Sequence, residues 1–292
     1  MTIFDKILIT GGGGMLAHAL ADELTRRGIS PTVLSRSQCD IADRAAVDRL
    51  FESPPTLFLN CAAHTKVDQC EAEPELADAI NGHAVGQIAA LCRKHNTCLV
   101  HVSTDFVFDG ELKRPYRPDD ATHAIQAYGQ SKLLGEIELR KNAPRDWLLV
   151  RTAWVYGRHG VNFPRTMVNA ARAGKPLSVV ADQVGSPTYT ADLAGGILAL
   201  LDAGARGIYH ITNSDQTTWL EFARSTLEEF GLKTDIAPLT SAQWKAMKPN
   251  SAVRPYYTVL DIEKFAQTVG RPMRPWREAL KDFRKAVERD GF

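Results

Sequence analysis

The feature that most constrains this chain is a run of four glycines between a short apolar segment and an amphipathic one. Residues 6–10, Lys-Ile-Leu-Ile-Thr, have the character of a buried β-strand, and residues 15–27 have helical periodicity. Gly11, Gly14 and Ala17 fit the spacing Gly-x-x-Gly-x-x-Ala. Glycines let the backbone approach a pyrophosphate, whose charge the helix N-terminus attracts. We therefore predict a dinucleotide-binding strand–turn–helix unit that contacts its ligand through Gly11, Gly14, Met15 and Leu16.

Strand-like and helix-like segments alternate through the first half of the chain. The further predicted strands are residues 32–35, 57–60, 98–103 and 147–151, and the further predicted helices are residues 74–95 and 127–141. This alternation is typical of the α/β class, and it predicts a Rossmann-like, doubly wound parallel sheet with helices on both faces. Ligands of such sheets bind beyond the carboxyl ends of the strands.

The alternation becomes less regular after about Gly157, where prolines divide the chain into short pieces. We predict a dinucleotide-binding domain over residues 1–160, completed by elements within residues 190–215. Residues 161–292 are predicted to form mainly a smaller C-terminal substrate-binding lobe. Candidates for the return to the sheet are residues 193–201 and 207–211.

Composition excludes several classes of protein. The 292 residues are 44% hydrophobic and 24% charged, as in ordinary globular proteins, and the net charge of +1 gives no electrostatic basis for binding nucleic acid. No apolar run approaches the ~20 residues of a membrane span, so no membrane partner is expected. The five cysteines are odd in number and contain no Cys-x-x-Cys, which argues against disulfides and zinc and favours the cytoplasm. The N-terminus shows no leader pattern.

The ends of the second and third predicted strands supply candidate cofactor contacts. Arg36 stands where an acidic residue would bind the adenosine ribose, and its guanidinium suits a 2′-phosphate, which favours NADPH while leaving NADH possible. Asp40, followed by Ile41, has two interpretations: a carboxylate near the adenine amino group, or the cap of the helix at residues 43–51. Small residues at the end of the third strand leave room for a flat ring or a ribose beside the polar His64; they are Ala62 and Ala63.

Tyr128 and Lys132 are the candidate reacting pair. Four residues apart on a predicted helix, they lie on one face, where the lysine ammonium favours the phenolate and the phenol acts as general acid. Thr104, at the end of the fourth predicted strand, can bond the substrate oxygen. These groups converge only if the parallel-sheet prediction is correct, and with a nicotinamide beside them they predict a carbonyl reductase.

These motifs together resemble the extended short-chain dehydrogenase/reductase superfamily, and more closely the dTDP-4-dehydrorhamnose reductase family. The similar segments span almost the whole chain, and the most specific of them is Ser-Thr-Asp-Phe-Val-Phe-Asp-Gly at residues 103–110. The resemblance implies NAD(P)H-dependent reduction of the C4 keto group of dTDP-4-dehydro-L-rhamnose, with Thr104, Tyr128 and Lys132 as the catalytic set. It also implies contacts to the nucleotide sugar from Val67, Asp68, Asp105, Trp154, Asn162, Gln183 and Arg254.

The sequence after Arg254, the role of Arg254 itself and the expected assembly need separate statements. Tyr256-Tyr-Thr-Val259 departs from the family pattern after Arg254-Pro255, where serine is usual. For Arg254 an ion pair in the small lobe is the alternative to a diphosphate contact. We predict no metal site, and the oligomeric state is left open between monomer and homodimer.

Rival functions differ in specific residues. A sugar 4,6-dehydratase usually carries Asp-Glu after the threonine, but here Asp105 is followed by Phe106, which argues against elimination. Another nucleotide-sugar reductase or an epimerase shares the catalytic set. A non-catalytic regulatory protein similar to the methionine adenosyltransferase beta subunit is the alternative from a different class, because such a protein can keep a cofactor site.

Overall fold

The computed structural model describes residues 4–289, and a parallel sheet forms its centre. The strands in this part of the chain are β1 (Ile7–Thr10), β2 (Thr32–Leu34), β3 (Leu57–Asn60), β4 (Cys98–Thr104), β5 (Trp147–Thr152), β6 (Val155–Tyr156), β7 (Leu177–Val180), β8 (Val184–Gly185), β9 (Thr188–Tyr189), β10 (Gly207–His210), β11 (Thr217–Thr218) and β12 (Ile236–Leu239). Six of them form the sheet in the order β10-β5-β4-β3-β1-β2, with every pairing parallel. The predicted doubly wound fold is confirmed.

Helices cover both faces of this sheet. They are α1 (Met15–Arg26), α2 (Arg44–Leu50), α3 (Val67–Ala72), α4 (Pro74–Ala77), α5 (Ala84–Lys94), α6 (Ala127–Lys141), α7 (Phe163–Arg172), α8 (Thr190–Asp202), α9 (Trp219–Glu229), α10 (Ser241–Met247), α11 (Glu263–Val269) and α12 (Trp276–Arg289). The predicted helix at residues 74–95 is interrupted by a π-helical turn, Asp78–His83. No helix within residues 4–289 is long and apolar enough to cross a membrane.

Burial explains why the central strands read as continuous apolar runs. All four residues of β1 and all four of β3 are buried, since α1 and α8 cover one face while α2 and α5 cover the other. β10 pairs in parallel with β5, so the sheet takes its last strand from beyond residue 190. The division of the chain into two domains at about residue 160 stays a prediction.

The later part of the chain adds a smaller assembly around the carboxyl ends of the strands. Two-stranded pairings join β7 to β12, β6 to β9 and β8 to β11. Its core is rich in aromatic residues, with Tyr156, Phe222, Trp276 and Phe283 packed against one another. This arrangement places loops of the later segment opposite the strand ends.

Close packing of α6 fixes the position of the reacting helix. A Cβ atom added at Gly135 would lie 2.1 Å from the carbonyl oxygen of Asn81 in the π-helical turn, and one at Gly129 would lie 2.1 Å from that of Phe106. Neither contact tolerates a methyl group. The glycines therefore allow α6 to lie directly against the backbone of its neighbours.

We predict that Gly135→Ala lowers the free energy of unfolding by about 2 kcal/mol, because the added methyl group forces α6 away from the π-helical turn. The matched control is Gly195→Ala in α8, where, apart from the glycine, its chain neighbours and the nearby backbone of its own helix, no heavy atom of residues 4–289 lies within 4 Å of the added Cβ. That change should be neutral or stabilise by roughly 0.5 kcal/mol, as alanine does in a helix. Urea unfolding of both variants measures the difference, and equal stabilities would contradict the packing argument.

Candidate active site

Two adjoining cavities lie at the carboxyl ends of the central strands. A cavity of about 350 Å³ contains Gly11, Gly14, Arg36, Asp40, Ile41, Ala62, Ala63 and His64. A second cavity of about 460 Å³ contains Gly14, Met15, Leu16, Ala63, Val67, Thr104, Asp105, Tyr128, Lys132 and Trp154. The structure thus brings together all the residues predicted for the cofactor and the catalytic set. Four predicted substrate contacts line neither cavity: Asp68, Asn162, Gln183 and Arg254.

The glycine turn presents bare backbone to the first cavity. Gly11 has a φ of 75°, and a Cβ there would lie 2.7 Å from the amide nitrogen of Ala62. Gly14 precedes α1, and within residues 4–289 no side chain caps this helix. Its first amide groups are consequently available to an anion, as a pyrophosphate site requires.

Arg36 and Asp40 form an exposed pair at the rim of this cavity. The guanidinium Nε lies 3.0 Å from the Asp40 carboxylate, and 72% of the arginine side chain is exposed. The interpretation of Asp40 as the cap of α2 is wrong. Asp43 caps that helix by accepting from the amide of Ala45, because Asp43 directly precedes the first helical turn, whereas Asp40 lies a turn too early.

Asn81 is a site residue that sequence reasoning missed. Its side chain accepts from the amide of His64 at 2.8 Å and donates to the carbonyl of His64 at 3.0 Å and to Ser131 at 3.0 Å. It therefore fixes the loop after β3 against α6. Nε2 of His64 is buried and has no partner among residues 4–289. No sequence signal marks Asn81, since its role depends on the π-helical turn.

The reacting helix begins at a side-chain cap. Gln126 accepts from the amide of Gly129 at 2.8 Å, so α6 starts one residue before Tyr128. Tyr128 and Lys132 then lie one turn apart on the face toward β4. Nζ of Lys132 donates to the carbonyl of Val102 at 2.7 Å and lies 3.2 Å from Nε2 of His101. Burial lowers the pKa of Lys132 to about 8, although the charge of Glu136 opposes this shift.

Tyr128 lies beside Thr104 as predicted. Burial raises the pKa of the phenol above its ordinary value, and a hydrogen bond with Thr104 partly opposes this shift. The Thr104 hydroxyl donates to Asp105 at 2.9 Å and accepts from the amide of Phe106 at 3.2 Å. A tyrosine that retains its proton suits the role of a proton donor.

Asp105 is the second acidic group of the reacting cavity. Its side chain is buried, and Oδ2 has no hydrogen-bond partner within the described part of the chain. Burial raises the pKa of this carboxyl to about 6, despite hydrogen bonds that favour the carboxylate. A buried acceptor of this kind is suited to a hydroxyl donor from a ligand.

Glu136 anchors α6 one turn beyond Lys132. It forms a bidentate ion pair with Arg151 of β5, at 2.9 and 2.7 Å, and accepts from Ser103 of β4 at 2.7 Å. Both charged side chains are almost fully buried. Sequence reasoning missed this pair, although the spacing of Tyr128, Lys132 and Glu136 places all three on one helical face and was a usable signal.

The predicted substrate contacts outside the cavities have partners within the chain. Arg254 forms an ion pair with Asp68 at 2.8 Å, but Asp68 lies on α3 in the first part of the chain and not in the predicted small lobe. Asn162 caps α7 and donates to the carbonyl of Gly157 at 2.7 Å, while Gln183 donates to Ser241 at 3.0 Å. These contacts hold loops in place, and the substrate roles of the four residues stay predictions.

Trp154 forms one wall of the reacting cavity together with Trp219, which sequence reasoning missed. The two indole rings stack with centroids 3.7 Å apart and 10° between their planes. The backbone of Trp154 has a φ of 47°, a conformation that turns the ring toward the later part of the chain. The tryptophan pair lies in sequence segments 65 residues apart, so only the fold shows it.

No group of three or more His, Cys, Asp or Glu residues suited to a metal ion occurs within residues 4–289. The five cysteines, all in this part of the chain, are free thiols. The absence of a metal site stays a prediction.

Comparison with known proteins assigns the family. Residues 5–289 match the family model described as RmlD substrate binding domain. The chain is 43% identical to a dTDP-4-dehydrorhamnose reductase of Mycolicibacterium smegmatis, over 97% of this chain and 86% of the relative. It is 39% identical to a dTDP-4-keto-6-deoxy-D-glucose reductase of Streptomyces niveus, over 94% of this chain and 95% of the relative.

A solved structure extends the similarity to the fold. The dTDP-4-dehydrorhamnose reductase of Bacillus anthracis, in complex with NADP, superimposes with a TM-score of 0.89 at 32% identity and covers 96% of this chain and 98% of its own. Fold, cavity residues and sequence similarity thus agree, and the chain belongs to the family described as RmlD substrate binding domain.

Proposed function

We propose that this protein is an enzyme that reduces the C4 keto group of dTDP-4-dehydro-L-rhamnose to the alcohol of dTDP-L-rhamnose. The observation that carries the proposal is the convergence of Thr104, Tyr128 and Lys132 in a cavity that adjoins the glycine turn. A ketone reductase needs a proton donor directly beside a dinucleotide-binding site. The name of the M. smegmatis relative, a dTDP-4-dehydrorhamnose reductase, supports the choice of sugar.

The first cavity fits NADPH. Gly11, Gly14 and the uncapped start of α1 suit its pyrophosphate, while Met15 and Leu16 continue toward the reacting cavity. Arg36 suits the 2′-phosphate, and the complex of the B. anthracis relative with NADP supports the same cofactor. We assign the adenine and ribose contacts to Asp40, Ile41, Ala62, Ala63 and His64, with Tyr128 and Lys132 toward the nicotinamide ribose. NADPH supplies the hydride.

Tyr128 delivers the proton that the reduced oxygen requires. The hydride adds to C4, the carbonyl π electrons move to oxygen, and the phenol O–H bond breaks as its proton passes to that oxygen. Lys132, when charged, stabilises the resulting phenolate, and Thr104 bonds the substrate oxygen so that it faces Tyr128. Loss of the Thr104–Asp105 contact at that moment leaves the Asp105 carboxyl available to a sugar hydroxyl.

Residues from both parts of the chain are assigned to the rest of the substrate. We assign the sugar to Val67, Asp105 and Trp154, which line the reacting cavity. Asp68, Asn162, Gln183 and Arg254 are assigned to the outer part of the nucleotide sugar, where the Arg254 guanidinium suits a diphosphate. This proposal treats residues 1–160, completed by β10, as the cofactor domain and most of residues 161–292 as the substrate lobe.

A second candidate substrate is dTDP-4-keto-6-deoxy-D-glucose, which the name of the S. niveus relative favours. It has the same nucleotide and the same reacting ketone, so the catalytic set serves both sugars. The five free cysteines suit a reducing cytoplasm, and we propose that location for a monomer or homodimer.

The function is tested by following NADPH oxidation with dTDP-4-dehydro-L-rhamnose, dTDP-4-keto-6-deoxy-D-glucose, and UDP- and GDP-linked 4-keto sugars. We expect the highest kcat/KM with dTDP-4-dehydro-L-rhamnose. Folded protein that binds NADPH but turns over none of these sugars would exclude a reductase and favour the regulatory alternative.

Tyr128→Phe is expected to lower kcat by about 10²–10⁴-fold, because the variant lacks the proton donor while its ring still fills the same space. Its affinity for NADPH should change little. Tyr209→Phe is the matched control, since the hydroxyl of Tyr209 contacts Thr268 and lines neither cavity. A Tyr128→Phe variant with the rate of that control would disprove the assignment of the acid.

Arg36→Ala is expected to raise KM for NADPH about tenfold and to leave KM for NADH nearly unchanged, because only NADPH carries the 2′-phosphate. Arg93→Ala on α5 removes the same charge from an exposed position outside both cavities and serves as the control. Equal effects of Arg36→Ala on the two cofactors would show that Arg36 does not discriminate between them.

Asp105→Asn is expected to stabilise the folded protein at pH 8 by about 2 kcal/mol and to leave it unchanged near pH 4. Burial raises the pKa of Asp105 to about 6, so its favourable contribution is complete below pH ~4 and is lost as the pH rises through about 6. Asparagine stays neutral throughout this range. Thermal unfolding against pH measures the difference.

The control for that experiment is Asp120→Asn. Arg114 lowers the pKa of Asp120 to about 2, so its stabilising contribution is present above pH ~4 and the substitution should destabilise the protein at pH 8. If both asparagine variants changed stability in the same direction at pH 8, the electrostatic cost assigned to Asp105 would be wrong.

A further inference from the structure

A row of three buried polar residues crosses the centre of the parallel sheet. Thr10 of β1 is in register with Asn60 of β3, and Asn60 is in register with His101 of β4. Each is at most 1% exposed. Polar side chains side by side inside a sheet are costly unless each is hydrogen-bonded, so the partner of each side chain fixes which of its atoms donate and which accept. Its last member, His101, contacts Lys132.

The amide of Asn60 has a defined orientation. Its oxygen accepts from the Thr10 hydroxyl at 2.8 Å and from the backbone amide of Ala62 at 3.3 Å. Because the Ala62 N–H can only donate, the oxygen must face it and the NH₂ group must face His101. That NH₂ group lies 3.2 Å from Nδ1 of His101. Nδ1 therefore accepts a hydrogen bond.

This contact determines the tautomer of His101. Burial, together with the charge of Lys132, lowers the pKa of His101 well below its ordinary value, so the ring is neutral. A neutral imidazole that accepts at Nδ1 carries its hydrogen on Nε2. The Nε2–H group then points at Nζ of Lys132, 3.2 Å away. An amine accepts this hydrogen bond, whereas an ammonium cannot.

The other titratable groups around Lys132 do not favour its neutral amine. On its own helix Lys132 lies between Tyr128 and Glu136, and within residues 4–289 Cys61 after β3 and His101 on β4 are the other titratable groups that interact with it. Glu136 favours the ammonium, but its carboxylate is paired with Arg151. Charging Lys132 fully would require Asn60 to turn and release the Ala62 amide.

We propose that the row Thr10–Asn60–His101 is a positioning element that holds Nζ of Lys132 and favours its neutral amine, and thereby sets the upper pH limit of NADPH binding and reduction. This inference rests on the proposed function, in which the ammonium of Lys132 donates to the nicotinamide ribose. His101 and Asn60 touch neither cofactor nor sugar in this scheme. They act through the lysine.

The test is the affinity for NADPH from about pH 6 to pH 10, measured by cofactor fluorescence without any sugar. In the wild-type protein the affinity should fall as Lys132 loses its proton. His101→Gln replaces the obligatory donor with an amide whose oxygen can face the ammonium, so the fall in affinity should move upward by about one pH unit. The upper limit of kcat should move by the same amount.

Asn60→Asp supplies a second variant, because its carboxylate can only accept and so forces the hydrogen of His101 onto Nδ1. It should move the fall in the same direction. The matched control is His210→Gln: His210 is also buried on a strand of the same sheet, the edge strand β10, but its Nε2 contacts Arg151, which stays charged across this range. That variant should keep the wild-type pH limit.

A wild-type affinity that is flat across this pH range would overturn the inference, as would a folded His101→Gln protein with the wild-type limit or an equal shift in His210→Gln. Circular dichroism and thermal unfolding establish which variants are folded. Because the binding measurement contains no sugar, a failure of the proposed reductase activity leaves this test intact. Conversely, if the protein is an active reductase and His101→Gln keeps the wild-type pH limit of NADPH affinity, the inference about the row is excluded and the proposed function is not.

Discussion

The buried ion pair between Glu136 and Arg151 is the interaction on which the site depends. It ties α6 to β5, and Ser103 of β4 adds a third hydrogen bond, so the helix is joined to two central strands at once. Removing one partner from such a pair leaves an uncompensated buried charge and costs roughly 3–5 kcal/mol. The pair lies one helical turn beyond Lys132 and therefore fixes the reacting groups without lining their cavity.

One face of helix α6 thus carries three polar side chains at successive turns with increasing burial. In the proposed function Tyr128 supplies the proton and Lys132 the charge, while Glu136 anchors the helix to β5. Glycines on the same helix let it approach the backbone of the π-helical turn and of the segment after β4. The same close packing lowers the stability of the charged site, because Lys132 and Asp105 are both removed from solvent. Burial lowers the pKa of Lys132 and raises the pKa of Asp105, and both shifts favour the neutral form of the side chain.

Much of the fold was predictable because its signals are local. The apolar runs of β1 and β3, the glycine turn and the helix beginning at Ala127 each depend on neighbouring residues, and their boundaries in the structure match the expectation to within a residue. The π-helical turn was not predictable, since the extra residue per turn is stabilised by contacts of Asn81 with His64 and Ser131, which lie far away in sequence. Of the two interpretations of Asp40, the one as the cap of α2 is wrong, because a second aspartate, Asp43, lies directly before that helix.

The sequence by itself determined which chemical groups are present. A glycine turn after a strand indicates a dinucleotide site, and a tyrosine four residues before a lysine on a helix indicates a proton donor, provided that the fold brings the two motifs together. The tertiary structure decided what those groups experience. The row Thr10–Asn60–His101, the Glu136–Arg151 pair and the Trp154–Trp219 stack join residues of different helices, strands and loops, at least 15 positions apart in sequence. The strength of these contacts depends on burial, because a low local dielectric strengthens each hydrogen bond and each charge interaction. Which residues meet depends on strand register, and neither burial nor register can be read from the spacing of neighbouring residues.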